Sequence, residues 1–320
     1  MKDKLYLGID TSNYTTSVAV IDDNDKIIVD LRKVLKVEKG KKGLRQQEAV
    51  FQHINNIPVL IEEMANLVDI SKIDTVSCSS QPRNLPDSYM PVFLVGRGQA
   101  IIISRLLKAK FKEYSHQEGH IAVGLMNSQL KTQNSFLSLH ISGGTTELLL
   151  VNNENKRLDV KIVGGTLDIS VGQLIDRIGV ELGLPFPCGK HMDLIAMKGK
   201  KLDISIPVNI KEKAWFNLSG MENFYKNLLK ENVYKVEDVL FTLFYVISEF
   251  IYKVILNSSK DHCIDSVLIT GGVSSNSVIR NLLTDKLIKQ GIKPYYPTES
   301  LCTDNGVGIA YLGKERYSSR

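Results

Sequence analysis

Residues 136–151 read FLSLHISGGTTELLLV, an apolar run that breaks at Ser142-Gly143-Gly144-Thr145-Thr146 and resumes at Leu148-Leu149-Leu150-Val151. The pattern predicts strand, tight turn, strand, with two glycines where a Cβ would obstruct the turn. Backbone N–H groups from Gly143 to Thr146 would then face an anion, beside the hydroxyls of Ser142, Thr145 and Thr146. Taken alone, the stretch is an ordinary hairpin.

A second copy changes that reading. Displacing the chain against itself by 130 residues lays Tyr6-Leu7-Gly8-Ile9-Asp10-Thr11-Ser12-Asn13-Tyr14-Thr15-Thr16 over Phe136-Leu137-Ser138-Leu139-His140-Ile141-Ser142-Gly143-Gly144-Thr145-Thr146. Leu7, Ser12, Thr15, Thr16 and Lys26 meet identical residues at Leu137, Ser142, Thr145, Thr146 and Lys156. The polar turn at 22–26 matches another at 152–156. Each copy therefore predicts strand, hydroxyl-lined turn, strand, polar turn, strand. Two such halves facing each other pinch a ligand between their turns. This is the layout of the actin, sugar-kinase and heat-shock ATPase (ASKHA) fold, an α/β architecture of two duplicated RNase H-like lobes. The lobes are expected at 1–131 and 132–320, with the final helix free to pack back on the first. The analogy concerns fold and leaves the reaction open.

A chain of 320 residues suits two domains, each with its own core. Apolar content of 43% and charged content of 23% are those of an ordinary globular protein. Lys+Arg (40) exceeds Asp+Glu (35), giving a net charge of +5. The excess gathers at Lys36, Lys39, Lys41, Lys42 and Arg45, and again at Lys198, Lys200 and Lys201. Such loops read either as solvated surface or as a grip on a polyanion. No aromatics interleave with them, so a base-stacking platform is not indicated. The start runs directly into a strand, so no signal peptide is expected. The longest apolar run, near 91–107, is broken by Gly96, Arg97 and Arg105, so no membrane span is expected either. Cys78, Cys188, Cys263 and Cys302 are scattered without a CxxC pair, which fits a reducing, cytoplasmic setting.

Along the first half, a strand at 26–37, a long helix at 44–68, a strand at 74–79, a loop at 81–88, a helix at 92–107 and a strand at 110–114 predict a mixed sheet covered by helices. Ser115 and Glu118 then form a capping box, so a helix opens with His116 in its first turn and His120 on the same face. A helix that starts at the carboxyl end of a strand aims its first turn into the ligand crevice of an open α/β sheet. The pair is either half of a metal site or a capping histidine beside an unrelated one. The second half predicts strands at 136–142, 145–151 and 157–163, a helix at 170–182 carrying Asp176, a rigid turn Pro185-Phe186-Pro187-Cys188-Gly189, and Asp193 on a short helix. A loop at 215–220 precedes a helical region at 222–257. A strand at 266–270 ends in Gly271-Gly272, where a flat ligand can lie against backbone, with Asn276 near the next helix start. After a short strand at 295–296, the last helix begins around 302–305, where Asp304 reads as a capping carboxylate.

Ser-His-Gln-Glu-Gly-His at 115–120, Ser-Gly-Gly-x-Thr-Glu-Leu at 142–148, Asp-Arg-Ile-Gly-x-x-Leu-Gly-Leu-Pro-Phe-Pro at 176–187, Gly-Gly-Val-Ser-Ser-Asn at 271–276 and Cys-Thr-Asp-Asn-Gly at 302–306 together resemble the universal tRNA threonylcarbamoyladenosine transferase family, formerly called O-sialoglycoprotein endopeptidases. The resemblance runs in order along essentially the whole chain. It implies a metal held by His116, His120 and Asp304, and adenine-nucleotide contacts at Ser142, Gly143, Gly144, Asp176, Gly189, Asp193 and Asn276; the Thr145 hydroxyl, read from the turn itself, joins them as a binding candidate. It also implies transfer of threonylcarbamoyl from its adenylate to an adenosine amine beside a tRNA anticodon. Asp10 is then a catalytic candidate, either orienting the metal's water or holding a turn. One divalent ion (iron, zinc or magnesium) and ATP, AMP or threonylcarbamoyl-AMP are the implied cofactors, and two imidazoles with one carboxylate lean toward a transition metal. A second ASKHA-type subunit and a small ATPase are the implied partners.

Three turns depart from the family pattern. Gly-Pro-Gly-Leu-x-Gly-Ser is Gln81-Pro82-Arg83-Asn84-Leu85-Pro86-Asp87-Ser88 here, the histidine of Ser-Gly-Gly-His-Thr is Thr145, and Ser-Cys-Asp is Ser12-Asn13-Tyr14. Such changes point to a diverged paralogue that keeps nucleotide and metal binding; the leading reading is transfer of threonylcarbamoyl or a related carbamoyl group, with a different donor or acceptor as the alternative. The competing readings are a non-catalytic nucleotide-binding regulator and an ATP hydrolase or kinase using Asp10. Peptidase chemistry is disfavoured, because no nucleophile–base pair or Glu-flanked zinc helix is present.

Overall fold

A computed structural model describes residues 3–12, 14–38, 43–126, 128–206, 208–315 and 317. The departure at Asn13 and the lysines at 39, 41 and 42 lie outside the described residues. The first half builds β1 (Leu5–Asp10), β2 (Thr15–Asp22), β3 (Ile27–Val34), α1 (Gln46–Leu67), β4 (Ile73–Gln81), α2 (Val92–Leu106), β5 (Lys110–Ser115) and α3 (His116–Leu125). The second builds β6 (Ser135–Ile141), β7 (Thr146–Glu154), β8 (Arg157–Thr166), α4 (Val171–Glu181), α5 (Gly189–Ala196), β9 (Trp215–Phe216), α6 (Ser219–Lys230), α7 (Val236–His262), β10 (Ser266–Thr270), α8 (Ser277–Lys289), β11 (Lys293–Tyr295) and α9 (Val307–Glu315).

The repeat read from the sequence is a repeat of topology. One sheet has the order β3-β2-β1-β4-β5, the other β8-β7-β6-β10-β11 with the short β9 added beyond β8. In both, the first three strands are antiparallel and the last two run parallel to the first. Both sheets are those of the ASKHA fold.

Side-chain parity along the two central strands sorts the layers. Leu5, Leu7 and Ile9 of β1 join Ile57, Leu60 and Met64 of α1 and Ala100 of α2. Tyr6, on the opposite face, joins Ile121 of α3, Ile309 and Ala310 of α9, and Phe136 of β6. Leu137, Leu139 and Ile141 of β6 face away again, toward a core with α4 to α8. Thus α3 and α9 lie between the sheets, and every even-numbered residue near the end of β1 or β6 points toward them.

Several sequence expectations change. The helical region at 222–257 is two helices, α6 and α7, and residues 215–216 pair as β9 rather than forming a loop. Among the described residues α7, not 91–107, is the one helix long and apolar enough to cross a membrane, with 67% of its most apolar window buried. Its Val239, Leu240, Leu243, Phe244, Ile247, Ile251 and Ile255 sit in the second core, which accounts for that composition. The last helix starts at Val307, so Asp304 precedes it, and the capping side chain is Asn305, whose Oδ1 accepts from Val307 and Gly308 N–H at 3.0 and 3.2 Å.

Candidate active site

The carboxyl ends of β1, β4 and β5 lie side by side, as their parallel register requires. Asp10 is the last residue of β1 and faces α3. Its carboxylate is fully buried, and it accepts hydrogen bonds from Ser12 Oγ at 2.7 Å and from Ser79 Oγ at the end of β4. His116 Nδ1 lies 3.2 Å from the same carboxylate. The capping box forms as expected: Ser115 Oγ accepts from Glu118 N–H at 3.2 Å, and the Glu118 carboxylate accepts from Ser115 N–H at 2.7 Å. With the helix start fixed, His116 and His120 turn their Nε2 atoms toward each other, 3.1 Å apart. Asp304 completes the group, its Oδ1 lying 3.4 Å from each Nε2. One ligand atom from each of the three residues lies within 4.8 Å of the others.

Asp304 arrives from 184 residues further on, and backbone packing delivers it. Gly8 of β1 and Gly306 face each other so closely that a Cβ on either would strike the other's carbonyl oxygen, while Ser17 Oγ accepts from Gly306 N–H at 2.8 Å. A Cβ on Gly308 would likewise strike the carbonyl of Gly119, so α9 and α3 cross at contact distance. Arg32 donates to Ser300 O at 2.5 Å and Thr303 Oγ1 at 3.0 Å, holding the segment before Asp304.

Electrostatics follow from this burial. For His116, burial opposes the charged ring, but the Asp10 and Asp304 carboxylates outweigh it and push the pKa up to about 10. For His120, burial and then the charge on His116 hold it below the usual histidine value. For Asp304, burial opposes ionisation, but hydrogen bonds from His116 and His120 hold it well below the carboxylate range. Two imidazoles and a carboxylate sharing one small volume fit a divalent cation with open coordination positions.

A third imidazole stands beside them that sequence reasoning missed. His140 is buried on the inward face of β6, with its ring centroid 4.4 Å from that of His120. Burial, then the neighbouring His120 and His116, hold its pKa well below the usual value, so it is neutral. The signal was available: His140 shares parity with Phe136, which faces α3.

The glycine turn differs from expectation. Ser142 N–H donates to Thr145 O at 2.8 Å and Thr145 N–H to Ser142 Oγ at 3.1 Å. Thr145 N–H is thus taken up within the turn, while Gly143 and Gly144 N–H make no turn or loop hydrogen bond among the described residues. A Cβ on either glycine would meet no protein atom, so the protein itself does not demand glycine there. The start of α4 packs on this turn, with Ser170 Oγ donating to Gly143 O at 2.9 Å; further along α4, Asp176 Oδ1 accepts from Cys188 N–H at 2.8 Å, and the next residue, Gly189, opens α5. Burial raises the Asp176 carboxyl. Asp193 accepts from Ser277 and Val278 N–H at 2.8 and 3.3 Å, capping α8 from a neighbouring helix. Asn276 Oδ1 caps the same helix through Ile279 N–H at 2.8 Å, leaving its Nδ2 buried without a partner. At 271–272 the junction is a tight 3₁₀ turn, and Gly271 has φ +89°, which explains glycine there without a ligand.

A family profile described as tRNA N6-adenosine threonylcarbamoyltransferase matches residues 31–311. The chain belongs to this transferase family. The enzyme of that name from Thermotoga neapolitana is 33% identical over 316 residues, covering 97% of this chain and 93% of its own. That of Sulfurihydrogenibium sp. is 30% identical, covering 98% and 91%. A probable bifunctional tRNA threonylcarbamoyladenosine biosynthesis protein of Methanocaldococcus jannaschii is 27% identical, and this chain spans 54% of its length. Among solved structures, HypF of T. kodakarensis superposes with a TM-score of 0.63 at 14% identity, covering 98% of this chain and 48% of that one. A ROK-family glucokinase from Streptomyces griseus gives 0.55 at 8%, covering 97% and 98%. Likeness at such identity speaks for the fold alone.

Two of the residues that depart from the transferase pattern make contacts far along the chain. Tyr14, where the pattern has Asp, packs on Phe186 of the rigid turn, ring centroids 5.9 Å apart. Arg83, where it has Gly, forms an ion pair with Glu147 of β7.

Proposed function

We propose that this acyltransferase moves a threonylcarbamoyl group from its adenylate to the N6 amine of a tRNA adenosine next to the anticodon, using a divalent metal held by His116, His120 and Asp304. The observation that carries the reading is the meeting of those three side chains at the carboxyl ends of β1, β4 and β5; we take the site to lie between lobes 1–131 and 132–320. Gly143 and Gly144 N–H groups, the unpartnered Asn276 Nδ2 and the Gly189 helix start are suited to hold the adenylate, its phosphate at the turn. Thr145 adds a hydroxyl there. Asp176 and Asp193 act on that site through backbone, one fixing the turn before Gly189 and the other the start of α8. A bound cation supplies charge neutralisation at the phosphate and polarisation of the carbamoyl carbonyl. Asp10 orients the His116 ring through Nδ1, and enclosure of the site would keep water from the mixed anhydride. A second ASKHA-type subunit and a small ATPase are the partners we expect, in a reducing, cytoplasmic setting that suits four free cysteines.

Mass spectrometry of total tRNA nucleosides, with and without the gene, tests the acceptor. Loss of threonylcarbamoyladenosine on deletion is expected, with restoration by the wild-type gene and not by a His116→Ala/His120→Ala variant. An unchanged level would reassign the chain to another acceptor.

A further inference from the structure

The loop between β4 and α2 carries a cation where the family pattern has glycine, and its surroundings are unusually specified. Gln117 N–H donates to Pro82 O at 3.0 Å, tying the loop to the helix residue next to His116. Arg83 N–H donates to Ser88 Oγ at 2.9 Å, and the Gln81 side chain donates to Arg83 O. With the backbone so held, the Arg83 guanidinium pairs with Glu147 Oε1, while Gln117 Nε2 donates to Glu147 Oε2 at 3.2 Å. The pair spans from one sheet's loop to the other sheet's strand.

Its position within the crevice follows from β register. Glu147 lies directly opposite His140 in the β6–β7 ladder, so both side chains rise from the same face. The His140 ring touches His120. The carboxylate that Arg83 grips therefore shares a rung with an imidazole that contacts the candidate metal group. The Arg83 side chain is 39% exposed and Glu147 only 12%. Burial raises the Glu147 carboxyl even against the attraction of Arg83. The cation thus has water on one side and, on the other, a carboxylate that its surroundings favour weakly as an anion. A guanidinium offers a fork of N–H donors matched to a carboxylate, and it is Nη2 that lies on Glu147 Oε1 in the pair.

The reading above supplies a ligand of matching chemistry. An N-carbamoyl amino acid bears its carboxylate on the carbon next to the carbamoyl nitrogen. If its carbonyl lies at the His116–His120–Asp304 group, that carboxylate lies against the neighbouring wall. We propose that Arg83 recognises the carboxylate of the transferred acyl group, exchanging Glu147 for the substrate when the donor binds. Arg83 is thereby a specificity-determining residue, and the proposal rests on the donor being an N-carbamoyl amino acid adenylate.

The test uses calorimetric titration of the full chain with three probes. These are AMP, a non-hydrolysable N-threonylcarbamoyl adenylate, and the same adenylate with its carboxylate converted to a primary amide. The wild-type chain should prefer the carboxylate probe over the amide by about ten- to hundredfold, the range of a charge-assisted hydrogen bond. Arg83→Gln should erase that preference while AMP affinity stays unchanged. Glu147→Gln, which removes the resident competitor, should strengthen carboxylate binding, so the two variants move in opposite directions. A latch that merely holds the loop gives the opposite pattern, both variants weakening all three probes alike, and overturns the proposal. So does a preference for the carboxylate that survives in Arg83→Gln. A wild-type chain that binds AMP but neither acyl probe would overturn the donor assignment together with the role of Arg83. Should Arg83→Gln melt at a much lower temperature, the Glu147→Gln arm and Arg83→Lys, which should retain part of the preference, decide the question.

Discussion

Removing the Asp10 carboxylate tests how the site is organised. Asp10 is wholly buried and serves three donors: Ser12 Oγ, Ser79 Oγ and the Nδ1 side of His116. The last contact, at 3.2 Å, fixes the ring so that Nε2 faces His120 and Asp304. Carboxylates that orient a ligating imidazole in this way are worth about 10- to 100-fold in metal affinity, which is roughly 1.4–2.7 kcal/mol. Asp10→Asn keeps the shape and an acceptor oxygen, so it should lose affinity near the tenfold end. Asp10→Ala leaves both hydroxyls and the ring N–H without their acceptor and should approach hundredfold, with a stability loss of about 2 kcal/mol or more. Zinc affinity measured by competition with a chromophoric chelator at fixed pH, together with thermal melting, reads both quantities. A folded Asp10→Ala variant that binds metal as tightly as the native chain, yet has lost transfer, would refute the positioning role and place Asp10 on the substrate.

Other consequences can be checked separately. Alanine at His116 and His120 together should abolish stoichiometric metal binding by elemental analysis while leaving the helix start intact, because the capping box of Ser115 and Glu118 is untouched. Gly308→Ala should destabilise the chain by about 1–3 kcal/mol and weaken metal binding, since its Cβ collides with the Gly119 carbonyl and pushes Asp304 away from the rings. Asp168 accepts from the N–H groups of Ile169, Leu218 and Ser219 at 2.7, 2.9 and 2.9 Å. Burial opposes its ionisation, yet the Ser219 hydroxyl and those N–H groups lower its pKa. Its contribution is therefore present above the unfolded aspartate value and lost as pH falls through the lowered one. Asp168→Ala should lower the melting temperature at pH 7 and flatten the acid limb of a stability–pH curve.

What the sequence disclosed, and what it withheld, follows the range of each interaction. The duplicated hairpins were legible because alternation and turn residues act over a few neighbours, and both sheets share their strand order around them. The first turn of α3 was legible for the same reason, since a capping box is a local bond. Asp304 was not: its neighbours mark a helix start, and the true cap is Asn305. Only the resemblance joined it to the histidines, and the physical cause is glycine contacts, Gly8 on Gly306 and Gly119 on Gly308, that carry no periodicity. The pairing of Arg83 with Glu147 was out of reach, because it joins a loop of one half to a strand of the other. His140 lies between these cases. Its parity with Phe136 places it among the inward residues of β6, where Phe136 packs into the layer that α3 and α9 fill. A histidine at that face, near the strand end where His116 and His120 begin, has to meet them, and the 4.4 Å spacing of the His120 and His140 rings is the result. Strand parity therefore locates functional side chains whenever the layer behind the sheet can be assigned, even where no motif marks them.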